Sequence, residues 1–496
     1  MNAKKTTLSF VMSKAICCGS LFFAFLLLAS LYGCLPAPGS DRGSTSNSFT
    51  TRLADMKHTP GHTSRISCFL NLKDQRGPAI RLEVSSIEVF NENTSLLLNA
   101  EPLILDSQGI GTGQFFLGGV ALPPGNYNRL RLTVTRGEVQ KTDGKFEVIA
   151  TEPFPVDVNL KPGLNLEAED SPTVHITWDV QNSLLNGNTL APDLIAAPSL
   201  RQMLLNLVLV SCPEIDTVFV VRADNNWVVD SFGLKGGPTY LAVDPVDRNL
   251  LYVLASRDRM VKVVELSTFR VVNFFPVPLN DEPTFMVISP DGQDGFLLDE
   301  NNGYLSRVNL RTGRIDARVL LSDRPVYMAY LEEQNVLAVV LSLSQKVLLL
   351  HPHSLGVTRT IATGSGPQGL ITWGNQLFLA EYGENSVSVT DLSSRGTQNR
   401  LLVGFGPRRL LKTENQIYVS NYQDGSLSVL MPGQFGVIQE IYGLGRPLDM
   451  ALNPSYRRLF VTDEMQAALA VIDTNSNRII EFIALGARPF DLDVIQ

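Results

Sequence analysis

The chain has 496 residues, 44% of them hydrophobic and 18% charged, which is too apolar for a disordered protein and long enough for two or three domains. Its formal net charge is −8, and residues 1–33 hold three lysines and no acid, so the remainder is more acidic still. Such a surface gains nothing from phosphate backbones, which argues against a nucleic-acid partner.

The first element in chain order is an address. Lys4, Lys5 and Lys14 precede an uncharged stretch from Ala15 to Leu35, the layout of a secretory signal. The stretch closes Leu31-Tyr32-Gly33-Cys34, which resembles the bacterial lipoprotein box. The resemblance implies a signal peptide over 1–33, cleavage before Cys34 and acylation of its thiol. The membrane would then be reached through two or three acyl chains, which hold where one does so only marginally. Leu35, standing where aspartate would retain such a protein at the inner membrane, implies the outer membrane of a two-membrane host. The alternative is an uncleaved anchor, since about 20 apolar residues can span a bilayer. Residues 34–65 are rich in Ser, Thr, Gly and Pro and read as a flexible tether.

Residues 66–200 read as an all-β domain, a β-sandwich. Arg129-Leu-Arg-Leu-Thr-Val-Thr135 alternates with period two, and Val174-His-Ile-Thr-Trp-Asp-Val180 repeats the pattern, so each is a strand with one buried face. His175 falls opposite Ile176 and Trp178 and is expected to face solvent. Between Leu82-Glu-Val84 and Ile87-Glu-Val89 the phase slips across Ser85-Ser86, the mark of a bulge. The stretches LPPGNYNRLRLTV and VHITWDV resemble domain of unknown function 4382, an all-β domain found behind lipoprotein signals. That resemblance implies no activity.

Residues 201–496 carry an internal repeat. Pro238, Pro283, Pro325, Pro367, Pro407, Pro447 and Pro489 are 45, 42, 42, 40, 40 and 42 residues apart. Each precedes a short apolar strand such as Tyr240–Val243, then an aromatic-aliphatic one such as Leu459-Phe-Val461, a third such as Leu469–Ile472 and a fourth such as Arg478–Ile483. Four strands at a period near 40 residues make a propeller blade. The last repeat stops after one strand, Phe490–Ile495. Leu205–Ser211, Thr217–Val221 and Trp227–Phe232 supply the missing three, giving a seven-bladed β-propeller with a split closing blade. Ile417-Tyr-Val-Ser-Asn421, Leu459-Phe-Val-Thr-Asp463 and the run 469–489 resemble the YVTN or YncE-like propeller family. Glu265, Asn309, His351 and Met431 stand where Asp391 and Asp473 keep the family's usual aspartate. The resemblance implies an extracytoplasmic binding platform with no defined reaction.

Blade geometry puts the connection entering strand one and the loop between strands two and three on one face. The first class holds Arg324, Arg408, Arg409, Arg446 and Arg488. The second holds Glu381, Tyr382, Tyr422 and Asp463, with Asp299, Glu300, Asn421 and Glu464. Arginine forks suit carboxylates or phosphates, and tyrosines suit peptide or glycan surfaces, so a protein, peptide or glycan partner is expected there. The plainer reading pairs each arginine with a neighbouring acid. No catalytic signature or cofactor motif occurs, and His351-Pro-His353, on a turn at the opposite face, is too sparse for a metal site. The expected function is binding or assembly in the cell envelope without catalysis. The alternative is a metal-dependent, lactonase-like hydrolase of the propeller type, which needs acids converging on the channel. Cys68 and Cys212, the two thiols left in the folded body, form a candidate disulfide.

Overall fold

The computed structural model describes residues 64–495 apart from 74–76, 93, 187–188, 200–204, 278–282, 322, 394–396 and 435. The signal, Cys34 and nearly all of the tether lie outside the described residues.

The N-terminal domain runs β1 (Ser64–Leu72), β2 (Ile80–Asn91), β3 (Ser95–Asn99), β4 (Leu103–Asp106), β5 (Gln114–Leu122), β6 (Gly125–Gln140), β7 (Phe146–Ala150), β8 (Phe154–Leu166) and β9 (Thr173–Asp179). A two-residue hairpin, β10 (Leu184–Leu185) and β11 (Thr189–Leu190), then precedes β12 (Asp193–Pro198). Ten of these strands form one sheet, ordered β3-β2-β6-β8-β12-β9-β1-β5, with β4 also on β2 and β7 on β6. The two ends of the row meet, since the Asn99 amide of β3 donates to the Leu117 carbonyl of β5 at 2.9 Å. The two layers expected of a sandwich are thus supplied by one sheet curled nearly closed. Alternation in β6 turns Leu130, Leu132 and Val134 inward against Leu82, Ile176 and Trp178. Register slips between Val84 and Ser86, where the sequence indicated a bulge.

The rest of the chain is seven four-stranded antiparallel sheets. Blade 1 is the split one. Its inner strand, Leu492–Ile495, pairs with Leu207–Cys212, and Thr217–Arg222 and Val228–Gly233 complete it. Blades 2 to 7 follow in chain order, with inner strands Pro238–Val243, Phe285–Ile288, Pro325–Leu331, Pro367–Trp373, Pro407–Lys412 and Pro447–Asn453. Second strands are continuous apolar runs because both faces pack against neighbouring blades, as in Arg458–Asp463, where every residue after the first is buried. Outer strands such as Arg478–Ala484 alternate with exposure.

The N-terminal domain and the propeller belong to one compact unit. The domain covers Val228–Gly233, the outer strand of blade 1. There the Gln114 side-chain amide accepts from Val228 N–H at 3.0 Å and donates to Val228 C=O at 3.2 Å, standing in for a strand partner on an otherwise open edge. Gly233 is required at this seam, because a Cβ there would lie 1.7 Å from the Glu169 carbonyl oxygen. His175 is also in the seam and is only 1% exposed, against the expectation that it faces solvent. Its Nε2 lies 3.2 Å from the Val229 carbonyl and 3.0 Å from the Thr173 hydroxyl, and its ring stacks on Phe69. The outward face of β9 is real, but blade 1 covers it.

The candidate disulfide is not formed. Cys68 and Cys212 are free and fully buried in different cores, the first inside the curled sheet and the second among the side chains of blades 1 and 7. Burial raises both thiols, Cys68 to about 12.

Candidate functional site

Hydrogen bonds tie each loop between strands two and three to the connection entering strand one. The amide of Tyr382 bonds Gly366 at 2.9 Å, that of Tyr422 bonds Gly406 at 3.0 Å, and that of Glu464 bonds Arg446 at 3.1 Å. The two loop classes therefore share one face, the one that bears the marker prolines.

On that face most of the arginines already have partners. Arg324 pairs with Glu300, and Arg488 with Glu214 at 3.4 Å. Arg408 and Arg446 lie over the Tyr422 ring at 4.8 and 5.8 Å, while the Tyr422 hydroxyl donates to Glu464. Tyr382 is half-buried, and its hydroxyl accepts from the Gln423 amide at 2.8 Å. Glu381 and Asp463 are completely buried and so do not belong to the surface. Glu381 accepts from Gly364 N–H at 2.7 Å and is paired with Arg400 at 2.9 Å. Asp463 accepts from Gly445 and Arg446 N–H at 2.6 and 2.9 Å. Each acid fastens the incoming connection of its own blade. Asp299 and Asn421, at the same position in other blades, are buried too.

Arg409 leaves the group altogether. It stands two residues after its marker proline, and that position across the seven repeats holds Tyr240, Phe285, Tyr327, Gly369, Arg409, Asp449 and Asp491. These residues form a ring around the propeller axis. Tyr240 packs on Phe285 at 4.3 Å between centroids, and Phe285 on Tyr327 at 4.9 Å. Arg409 of blade 6 reaches across to blades 2, 3 and 4. Its Nη2 donates to the Tyr240 hydroxyl at 3.3 Å, and its guanidinium sits 4.6 Å from the Tyr327 centroid and 5.7 Å from that of Phe285. Burial, and after it the neighbouring Asp449 carboxyl, raise Asp491 well above the usual carboxylate range. Burial alone would lower the Arg409 pKa, but Tyr240, Asp449 and Tyr327 outweigh it and keep the group charged. Four residues after each proline the channel wall is apolar in six blades (Ala242, Val287, Ala329, Ile371, Leu411, Ala451) and carries Asp493 in the seventh. The ring was readable in the sequence by comparing one offset from each marker proline, which grouping arginines by loop did not do.

Among the described residues no group of three or more His, Cys, Asp or Glu side chains is placed to hold a metal. A guanidinium crossing the ring also opposes a cation there. His351 and His353 are exposed on a turn of the opposite face, beside a groove of about 450 Å³ that also touches Asp291, Tyr330 and Glu332. His353 Nδ1 lies 2.6 Å from Arg307 Nη1, and His351 Nδ1 accepts from His353 N–H at 3.2 Å, so each of these ring nitrogens is engaged.

No protein-family model matches the chain, and no curated protein does. Solved structures do. A functionally unknown protein from Desulfotomaculum acetoxidans superposes with a TM-score of 0.53 at 16% identity, over 59% of this chain and 99% of its own. A candidate 6-phosphogluconolactonase from Bacteroides fragilis gives 0.51 at 12% identity, over 58% of this chain and 98% of its own. Dihydro-heme d1 dehydrogenase NirN gives 0.46 at 17% identity, over 57% of this chain and 65% of its own. At such identities the first two likenesses establish the fold alone: the chain is similar to known proteins as a β-propeller.

Proposed function

We propose that this chain is a cell-envelope lipoprotein whose propeller binds a protein partner on the face bearing the marker prolines. One observation carries the reading. Among the described propeller residues, seven large apolar side chains are at least 60% exposed, and six of them (Leu320, Leu343, Leu402, Phe405, Tyr442 and Met465) lie on or at the rim of that face. Val246 is the exception. Together with Tyr382, Tyr422, Arg408 and Arg446 they give the mixture of aromatic, methionine and arginine side chains that protein interfaces favour. Arginines stacked on Tyr422 hold their orientation before a partner arrives, which lowers the entropy lost on binding. The guanidinium of Arg409, which crosses the axial ring and opposes a cation there, favours this reading over a metal-dependent hydrolase.

Crosslinking in envelope extracts tests it. The double variant Phe405→Ser, Met465→Ser is expected to lose most capture, since buried hot-spot residues cost about 2 kcal/mol or more, roughly thirtyfold. Replacing His351 and His353 by alanine should leave capture unchanged. The opposite pattern would place the partner on the other face. The address is tested separately: mass spectrometry of the mature protein should find Cys34 as the acylated N-terminus, and Cys34→Ala should leave the precursor uncleaved. A mature chain with an unmodified Cys34 rules the anchor out.

A further inference from the structure

We propose that the axial ring binds a carboxylate group, with Arg409 taking its charge. The proposal goes beyond the partner-binding face and does not rest on it.

Arg409 is 6% exposed, yet its Nε and Nη1 make no hydrogen bond. A buried guanidinium whose donors find no acceptor in the protein is costly, because burial weakens its hydration without a full replacement. Among the described residues, no carboxylate forms an ion pair with it. Asp449 is close enough to favour the charge but does not bond to it, since Nε and Nη1 have no partner and Nη2 donates to Tyr240. The ring thus holds a guanidinium with donors in excess, and an incoming carboxylate supplies the missing acceptors.

The surroundings suit such a ligand. Tyr240, Phe285 and Tyr327 form a continuous aromatic wall against the guanidinium, able to take the apolar body attached to a carboxylate. Tyr327 and Asp449 keep partial exposure, so solvent in the channel reaches the ring. Gly369 contributes no side chain to the ring. A Cβ there would meet the Arg408 carbonyl oxygen at 2.5 Å and the Arg409 Cα at 3.1 Å. Glycine therefore lets the arginine-bearing strand lie close and leaves the ring six side chains instead of seven.

The carboxylate has two possible sources: a free small acid, or the C-terminus of a docked protein. Calorimetry on the purified full-length protein in detergent distinguishes them, with phenylacetate, its neutral analogue phenylacetamide, and a tripeptide ending in phenylalanine with a free or amidated C-terminus. Phenylacetate is expected to bind and phenylacetamide not to. Equal affinity for phenylacetate and the free-acid peptide supports a small acid, and an affinity at least tenfold higher for the peptide supports a protein terminus. Arg409→Met should weaken binding about tenfold or more, the scale of one charge-assisted hydrogen bond. Arg409→Lys keeps a charge in the ring but loses Nε and Nη1, so it should bind with intermediate affinity and carries the test should methionine not be tolerated. Phenylacetate and phenylacetamide behaving alike, or folded Arg409 variants binding as tightly as the wild type, would overturn the proposal.

Discussion

His175 shows how much one residue's role depends on what covers it. The period-two pattern of β9 divides its side chains into two faces, and the apolar one, with Ile176 and Trp178, is legible from sequence. Whether the other meets water depends on blade 1, more than thirty residues further on, and no local pattern records that. Buried against Val229 and Thr173, the imidazole is pushed by desolvation down to about 4. The unfolded chain, with an ordinary value near 6.5, takes the proton first on acidification. The seam's stability is therefore complete above about pH 6.5 and is lost as pH falls toward 4. Between pH 7 and 5 the loss should be about 2 kcal/mol. Urea midpoints at the two pH values should fall in the wild type and fall less in His175→Gln. An identical drop in both would mean that the imidazole is not held neutral. Arg408 and Arg409 teach the same lesson from adjacent positions. One lies over Tyr422 at the surface and its neighbour crosses the channel, because successive residues of a strand point to opposite sides.

At the scale of elements, the repeat was the most legible feature, since a marker proline every 40 to 45 residues fixes strand order within each blade. Blades whose turn residue has drifted keep the turn by other means. Asp391 and Asp473 accept from the amides of Ser393 and Ser476, at 2.7 and 2.8 Å. Asn309 accepts from Thr312 N–H at 2.9 Å, and in the next blade His351 Nδ1 does the same for His353 N–H at 3.2 Å. This is a structural account of His351, a turn cap in the place of an aspartate. The curl of the N-terminal sheet was less legible. Alternation and a bulge indicate strands with one buried face, but the bond between Asn99 and Leu117 that brings the sheet ends together depends on long-range register. The acids ending the second strands were misleading for a related reason. Glu381 and Asp463 stand at a loop boundary, which suggests exposure, while backbone donors of the incoming connection enclose them.

For the whole molecule, closure rests on a short C-terminal segment with several independent ties. Leu492–Ile495 pairs with Leu207–Cys212, and Ser211 exchanges backbone bonds with Phe490 and Asp491 at 2.9 Å. The segment also reaches the next blade through its acids, since Asp491 accepts from Leu241 N–H at 2.6 Å and Asp493 from Val243 N–H at 2.8 Å. Leu492 and Ile495 are buried, worth roughly 1.5–3 kcal/mol each. Deleting Pro489–Gln496 removes these contacts, takes Asp491 from the axial ring and bares the edge of Leu207–Cys212 between two blades. A loss of that size is comparable with the 5–15 kcal/mol or so that holds a typical domain together, and an open strand edge templates association. The truncated protein should therefore aggregate or melt at a much lower temperature. Asp493→Asn, which keeps an oxygen to accept from Val243 N–H, should remain monodisperse with a melting temperature close to that of the wild type. Calorimetry and light scattering on the two variants separate closure from the loss of one charge. A truncated chain that stays monodisperse and melts with the wild type would mean that the ring holds without its split blade.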